Sequence, residues 1–299
     1  MDEEKPLVSV AMPVFNGEPY IEEAIRCVLN QTYNNLELVI SDNASTDNTE
    51  QVCRDFKEKD DRVVYIRNTS NIGAAKNYNQ AFRNTTGLYF RWHNADDLCS
   101  PRLVEVCLEV LMGNPDTVLC YGKTDIIDDR GELLEHYDDN LDLRQPKPTE
   151  RFKAFFQQVG LTNIIYGLMR RSTVERTMLM GEGTFFASDV NFMAEMSLYG
   201  KFYEIPETHF FRRMHARASS WERKNDTVQR DFWQGQSRKF FLPNWKKNIA
   251  YLKAIRNSPI SIAEKIRLFR FVARRIIMCR RDLLRDLLLE WNWLSAVSI

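Results

Sequence analysis

Residues 7–43 read LVSVAMPVFNGEPYIEEAIRCVLNQTYNNLELVISDN, and this stretch decides the fold class. LVSVAMPV (7–14) is a short apolar run rich in valine, as expected of a strand covered on both faces. EPYIEEAIRCVLNQ (18–31) then places Ile21, Ala24, Ile25, Val28 and Leu29 on one side of a helix, and LELVIS (36–41) returns to strand character. The same alternation continues. STDNTEQVCRDFKEK (45–59) predicts a helix with a Ser/Thr cap and early acids, RVVYIRN (62–68) a strand, and GAAKNYNQAFRN (73–84) a helix. LYFRWHN (88–94) follows as a strand, Pro101 opens a helix that runs to Asn114, and TVLCYGKTDII (117–127) is a further strand. Strand–helix alternation of this kind implies right-handed crossovers and a mostly parallel sheet flanked by helices.

Outward from this half the pattern weakens. Residues 130–150 are polar, hold two prolines and predict a loop. Short helices are expected at 150–159 and 171–180, a Ser/Asp-started helix at 188–200, and two strands at KFYEIP and THFFRRM. Beyond 219 the sequence is helical and rich in Arg, Lys and Trp. No internal repeat or low-complexity segment is present.

Composition narrows the classes. Of 299 residues, 44% are hydrophobic and 27% charged, which suits a packed core and argues against disorder. No run of about 18 apolar residues predicts a membrane span. The acidic start, MDEEKPLVSVAMP, does not resemble a secretory signal. Six cysteines without a C-x-x-C pair, and four histidines at no ligand spacing, favour buried reduced thiols over a disulfide frame or a zinc site. The net charge of zero conceals an asymmetry. Residues 1–211 hold 21 Lys/Arg against 34 Asp/Glu, and residues 212–299 hold 20 against 7. A basic tail seeks an anionic partner or docks on the acidic body.

In an open α/β sheet, ligands bind outside the carboxyl ends of the strands. Polar clusters sit at four such ends: Asn16-Gly17, Asp42-Asn43, Asn68 to Gly73, and Asn94 to Asp97. The sharpest is Asn94-Ala95-Asp96-Asp97. Adjacent carboxylates repel unless a cation compensates, and Mg²⁺ or Mn²⁺ binds through one or two carboxylates plus substrate phosphate oxygens. The plainer role is capping of the helix after Pro101.

Taken together, Pro13-Val14-Phe15-Asn16, Asp42-Asn43-Ala44-Ser45-Thr46-Asp47, Asn71 to Asn77 and Asn94 to Asp97 resemble, in order and spacing, the inverting glycosyltransferase family 2. The resemblance covers residues 7 to about 215. It implies the Rossmann-like GT-A fold for residues 1–215, with a basic helical extension at 216–299. It also implies transfer of a sugar from a UDP-, GDP- or dTDP-sugar to a hydroxyl of a polysaccharide, lipid-linked or cell-surface glycan. Under it, Pro13, Val14, Phe15, Asn16, Asp42, Asn43, Lys76, Asn94, Ala95 and Asp96 bind the nucleotide sugar. Mn²⁺ or Mg²⁺ is held by Asp96, then Asp97, with His215 near the metal or diphosphate and Arg212 or Arg213 on phosphate. Asp189, at a helix N-terminus that favours its ionised form, is the candidate general base. The chain departs from the common pattern at Asn43, Asn94 and Ser188, where many members carry acids. Trp92, Trp221, Trp233 and Trp245 offer faces for sugar stacking, although core packing is the commoner role of Trp.

The alternatives are a metal-dependent nucleotidyltransferase, which would normally show a Gly-rich basic loop after the first strand, and a non-catalytic sugar-nucleotide binder. A dehydrogenase is disfavoured by the missing G-x-G-x-x-G. In the tail, Ile262, Ile266, Phe269, Ala273, Ile276 and Ile277 predict an apolar stripe among arginines, suited to an anionic membrane surface or to packing on protein. Nucleic acid is not an expected partner, since no recognition motif accompanies the charge. The expected location is the cytoplasm, with attachment to the inner face of the plasma membrane through the tail.

Overall fold

Apolar β-branched runs pair in parallel when helices cover both faces, and the first half of the chain does so. The structure, a computed structural model, describes residues 5–181, 188–216, 232 and 242–297. Strands β1 (Val8–Val14), β2 (Leu36–Asp42), β3 (Val63–Arg67) and β4 (Tyr89–Trp92) lie parallel in the order β3-β2-β1-β4. Helices α1 (Ile21–Leu29), α2 (Thr49–Lys59) and α3 (Ala74–Arg83) connect them. All seven residues of β1 are buried, six of them apolar, and the one polar side chain, Ser9, donates to Glu37 Oε1 at 2.6 Å.

The second half departs from simple alternation. β5 (Leu98–Cys99), α4 (Leu103–Gly113), β6 (Thr117–Ile127), β7 (Leu133–Tyr137) and α5 (Pro148–Gln158) lead to β8 (Leu168–Arg170) and the one-turn α6 (Arg171–Val174). α7 (Ser188–Met196) and β9 (Lys201–Arg213) complete the body. The sheet continues as β4-β8-β6-β9-β5, with β8 antiparallel to both neighbours, β5 antiparallel to β9, and β7 on β6. The sheet is therefore the mostly parallel, helix-flanked one expected of a GT-A fold, with an antiparallel insertion.

Several boundaries differ from expectation. The helix after the acidic motif begins at Leu103, because Pro101 and Arg102 form the preceding turn. The polar stretch after 131 contains β7, whose first four residues are exposed, so no hydrophobic signal marks it. The helix expected at 171–180 stops at Val174. KFYEIP and THFFRRM form one strand, β9, that follows β6 through register shifts around Gly122 to Thr124.

Among the described residues three helices follow: α8 (Pro243–Asn257), α9 (Ile262–Met278) and α10 (Arg280–Val297). The first two dock on the body. Tyr251, Ile255, Leu268 and Val272 share a buried cluster with Phe152, Phe155 and Phe192. Phe152, Phe156, Tyr251 and Phe271 stack edge-on, with the Arg275 guanidinium 4.4 Å over Phe156. The docking face differs from the apolar stripe read from sequence. Leu268 and Val272 are buried and Phe269 and Ile276 half-buried, while Ile262, Ile266, Ala273 and Ile277 face outward. The cause is geometric: two apolar faces compete on one helix, and periodicity alone does not say which meets the core. Trp92 is a core residue and Trp245 is bonded through its indole N–H to the Leu283 carbonyl. Trp221 and Trp233 lie outside the described residues.

Candidate functional site

The loops after β1 and β2 face each other at the carboxyl edge of the sheet. Backbone N–H groups of Asn16, Gly17 and Glu18 donate to Ser45 Oγ (2.9 Å), Thr49 Oγ1 (2.8 Å) and Asp47 Oδ2 (3.1 Å). Asn16 sits in the left-handed region, which its short amide side chain tolerates, and its Oδ1 accepts from the Thr46 N–H at 2.8 Å. Pro13 and Val14 are buried in β1. Phe15, 47% exposed, stands out of this doubly stapled rim.

Asp42 and Asn43 end β2 but turn inward. Asp42 has no exposed surface: Oδ1 accepts from the Ser45 N–H (2.8 Å), and Oδ2 accepts from Tyr65 Oη (2.6 Å) and Arg67 Nη1 (2.5 Å). Asn43 accepts from the Ile72 N–H and the Asn68 amide and donates to Asn71 Oδ1. Both side chains expected on the nucleotide are thus engaged in bracing the loops. Asn77 joins them, with its amide on Ser41 O (2.8 Å) and its Oδ1 accepting from Ser41 Oγ (2.7 Å). Gly73, at φ +86°, turns the chain into α3, and Lys76 lies half-exposed in that helix's first turn.

The 94–97 turn follows β4. Asn94 Nδ2 donates to Asp97 Oδ2 (2.9 Å) and Tyr166 Oη (2.6 Å), and its Oδ1 accepts a short hydrogen bond from the Tyr78 hydroxyl. Asp97 is buried, with Oδ1 on the Arg213 N–H at 2.8 Å, and burial, then the Asp96 charge, pushes its carboxyl up to about 7. Ala95 is buried. Asp96 is the outward member: its carboxylate is 32% exposed and lies 3.1 Å from His215 Nε2. His215 packs on Tyr20 with ring centroids 4.7 Å apart. Arg213, expected on phosphate, instead faces inward, with Nε on Asp96 O (3.0 Å) and Nη2 on Glu23 (2.7 Å). Arg212 donates to Asn163 Oδ1 at 2.7 Å.

Asp189 opens α7 and accepts from the Val190 N–H at 2.8 Å. Three residues on, Phe192 meets Trp92 of β4 edge-on at 5.1 Å, so this helix is fixed against the strand that carries the 94–97 turn. Asn191 ties it to α8 through the Lys247 carbonyl.

Sequence reasoning missed Tyr78 and Tyr166, which hold the turn, and set Arg213 on phosphate although it too holds the turn. It also missed a cluster behind it. Cys27, His93 and Cys99 converge, with Sγ–Sγ 3.3 Å and Cys27 Sγ–His93 Nε2 3.5 Å. Arg91, fully buried, directs Nη1 at Cys99 Sγ (3.6 Å) and Nη2 at His93 Nδ1 (3.3 Å). Burial, then Arg91, holds the His93 imidazole well below its ordinary range. No spacing signal marks this cluster, because its members come from α1, the end of β4 and β5.

Residues 9–178 match the family described as Glycosyl transferase family 2. An uncharacterized glycosyltransferase of Rickettsia typhi is 28% identical over 208 residues, covering 69% of this chain and 61% of the relative. One from Rickettsia felis is 37% identical over 136 residues, 44% of this chain and 22% of the relative. The chain therefore spans less than two-thirds of these relatives. Among solved structures, S. aureus TarS 1-349 in complex with UDP superposes with a TM-score of 0.65 at 14% identity, covering 91% of this chain and 72% of that one. The mannosyltransferase PcManGT from Pyrobaculum calidifontis, in complex with GDP-Man and Mn²⁺, gives 0.53 at 16% identity over 96% and 88%. These likenesses carry the fold.

Proposed function

The chain belongs to glycosyl transferase family 2, and from that premise we propose that it transfers a sugar, with inversion, from a nucleoside-diphosphate sugar to a hydroxyl of a glycan or lipid-linked acceptor. Residues 1–215 form the catalytic unit in this reading, and 216–299 the extension. The observation that carries it is the Asp96–His215 pair at 3.1 Å, beside the stapled rim that presents Phe15. A partly exposed carboxylate beside an imidazole suits Mn²⁺ or Mg²⁺, a hard-oxygen plus nitrogen donor set that leaves room for diphosphate oxygens. A divalent cation bound there supplies neutralisation of the charge that develops on the leaving nucleoside diphosphate.

The chain's own residues do the rest. Phe15 offers an aromatic face to the base, and Lys76 a positive charge to the diphosphate or base. Asn94 and Asp97 fix the turn so that Asp96 points outward. Asp189 accepts the proton of the attacking hydroxyl as the acceptor oxygen closes on the anomeric carbon. TarS and PcManGT, which bind UDP and GDP-Man, support a nucleotide-sugar donor. Thermal shift against UDP-, GDP- and dTDP-sugars with Mn²⁺ identifies the donor, because a bound ligand stabilises the fold. The reading fails if the preferred donor is turned over as well by Asp96→Ala and Asp189→Asn as by the parent chain.

The outward face of α9 supports an anionic membrane as the partner that brings enzyme to acceptor. Ile262, 78% exposed, Ile266, Ala273 and Ile277, 63% exposed, share one side of the helix, bordered by exposed Arg267, Arg270 and Arg274. Among the described residues no helix is long and apolar enough to cross a membrane. Co-sedimentation with vesicles containing phosphatidylglycerol should exceed that with phosphatidylcholine alone and fall in Arg270→Glu/Arg274→Glu. Equal binding to both vesicles refutes this surface.

A further inference from the structure

We propose that Cys27 and Cys99 form a reversible disulfide that serves as an oxidative modification site beneath the 94–97 turn. The two sulfurs already lie 3.3 Å apart, and a disulfide needs about 2.05 Å. A movement of about 1.2 Å, within reach of small side-chain rotations and a slight approach of α1 to β5, closes that difference. Chemical surroundings favour thiol chemistry over a bound metal. Arg91 is a buried cation with no carboxylate in salt-bridge range among the described residues, and its Nη1 is directed at Cys99 Sγ. A cation beside a cysteine favours the reactive thiolate. The same Arg91 donates toward His93 Nδ1, which places the proton of a neutral imidazole on Nε2, the nitrogen facing Cys27. That nitrogen is then a donor and has no lone pair for an ion, and a metal there would add a second buried cation beside Arg91.

Hydrogen peroxide is an oxidant of the right class. The Cys99 thiolate facing Arg91 attacks one peroxide oxygen and becomes a sulfenic acid, while the other oxygen leaves as hydroxide and takes a proton from solvent as water. Cys27 then attacks the Cys99 sulfur, the S–O bond breaks, and the hydroxide leaves as water with the Cys27 proton. Two thiols are oxidised and one peroxide is reduced to two waters. A dithiol such as dithiothreitol reverses the bond by exchange. Formation of the bond removes the sulfur anion that Arg91 faces. Arg91 Nε holds the Tyr166 carbonyl and Asn94 Nδ2 holds the Tyr166 hydroxyl, while Cys99 stands two residues after Asp97. Oxidation therefore displaces the turn that aims Asp96, an effect on turnover that rests on the glycosyl-transfer reading.

The full chain is treated with stoichiometric hydrogen peroxide under native conditions and its peptides are mapped without reduction. The expected result is a Cys27–Cys99 cross-linked peptide, absent in Cys27→Ser and lost on adding dithiothreitol. Cys107 and Cys120, both fully buried, serve as the internal comparison and stay as thiols. Turnover of the donor should fall by about tenfold or more on oxidation, since displacements of about 1 Å at a reacting centre cost up to about a hundredfold. It should return with the thiols, and Cys27→Ser should resist the loss. Absence of the cross-link, or stoichiometric zinc on the purified chain that protects both thiols, overturns the disulfide site. A cross-link that leaves turnover unchanged overturns the coupling to the turn, and neither result depends on which sugar is transferred.

Discussion

Asp42→Asn separates two roles that the sequence does not distinguish, ligand contact and loop bracing. The native carboxylate is fully buried and accepts from the Ser45 N–H, Tyr65 Oη and Arg67 Nη1. In the variant Oδ1 keeps the Ser45 N–H, and the new amide faces Tyr65 and Arg67. The Tyr65 hydroxyl can turn and accept from that amide, so its bond costs little. The Arg67 guanidinium cannot accept, so one charge-assisted hydrogen bond is lost, typically about 1.5–3 kcal/mol. Arg67 is partly exposed and also reaches Glu50 at 3.1 Å, so the lower part of that range applies. A loss of about 2 kcal/mol lowers Tm by roughly 3 °C for a chain of 299 residues, because the unfolding entropy grows with length. Asp42→Ala should cost about twice as much, because the Ser45 and Tyr65 donors lose their acceptor as well. Differential scanning fluorimetry reads the stability, and calorimetric titration with the preferred donor reads affinity. A Tm unchanged to within a degree, together with a donor affinity reduced tenfold or more, would refute the bracing role and return Asp42 to the ligand.

Other outcomes follow from the same geometry. Asp189→Asn should leave donor affinity intact and lower transfer by about 10²–10⁴-fold, the usual contribution of a general base, as read by single-turnover kinetics. His215→Ala should raise the Mn²⁺ concentration needed for half-maximal turnover, while circular dichroism stays unchanged. Burial pushes the Glu195 carboxyl up to about 7, above its unfolded value near 4.5, so its stabilising protonated form is complete below about 4.5 and is lost as pH rises through about 7. Glu195→Gln should therefore raise Tm at pH 8 relative to the parent chain and do so less at pH 5. Asn94→Asp sets a second carboxylate against Asp97, so its Tm deficit should grow between pH 6 and pH 8.

The parallel half of the fold was legible because each of its strands is an apolar run long enough to carry a pattern, and each helix shows one apolar face. β1 and α1 are the clearest cases, with Ile21, Ala24, Ile25 and Val28 buried as their spacing requires. β5 has two residues and β8 three, too few for any period, and both exist because β9 and β4 supply partners from far along the chain. The tail shows the converse. Its periodicity was visible, but the face that packs was chosen by the aromatic pocket of Phe152, Phe156 and Tyr251, which lies in other segments. The Cys27–His93–Cys99 cluster joins side chains 66 and 72 positions apart, so no local spacing announces it.

Position 94 joins these levels. Read as sequence, asparagine in place of an acid is a loss of charge at a metal motif. In the structure its amide does what a carboxylate could not, donating to Asp97 and Tyr166 while accepting from Tyr78. Asp97 is buried and already carries a raised pKa, so an acid at 94 would face it 2.9 Å away with little solvent to screen the pair. Asparagine removes that repulsion and lets Asp97 hold the Arg213 backbone, which in turn sets β9 against the turn and brings His215, two residues on, to Asp96. The substitution therefore moves the burden of charge onto Asp96 and gives position 94 a geometric task, aiming the carboxylate that remains.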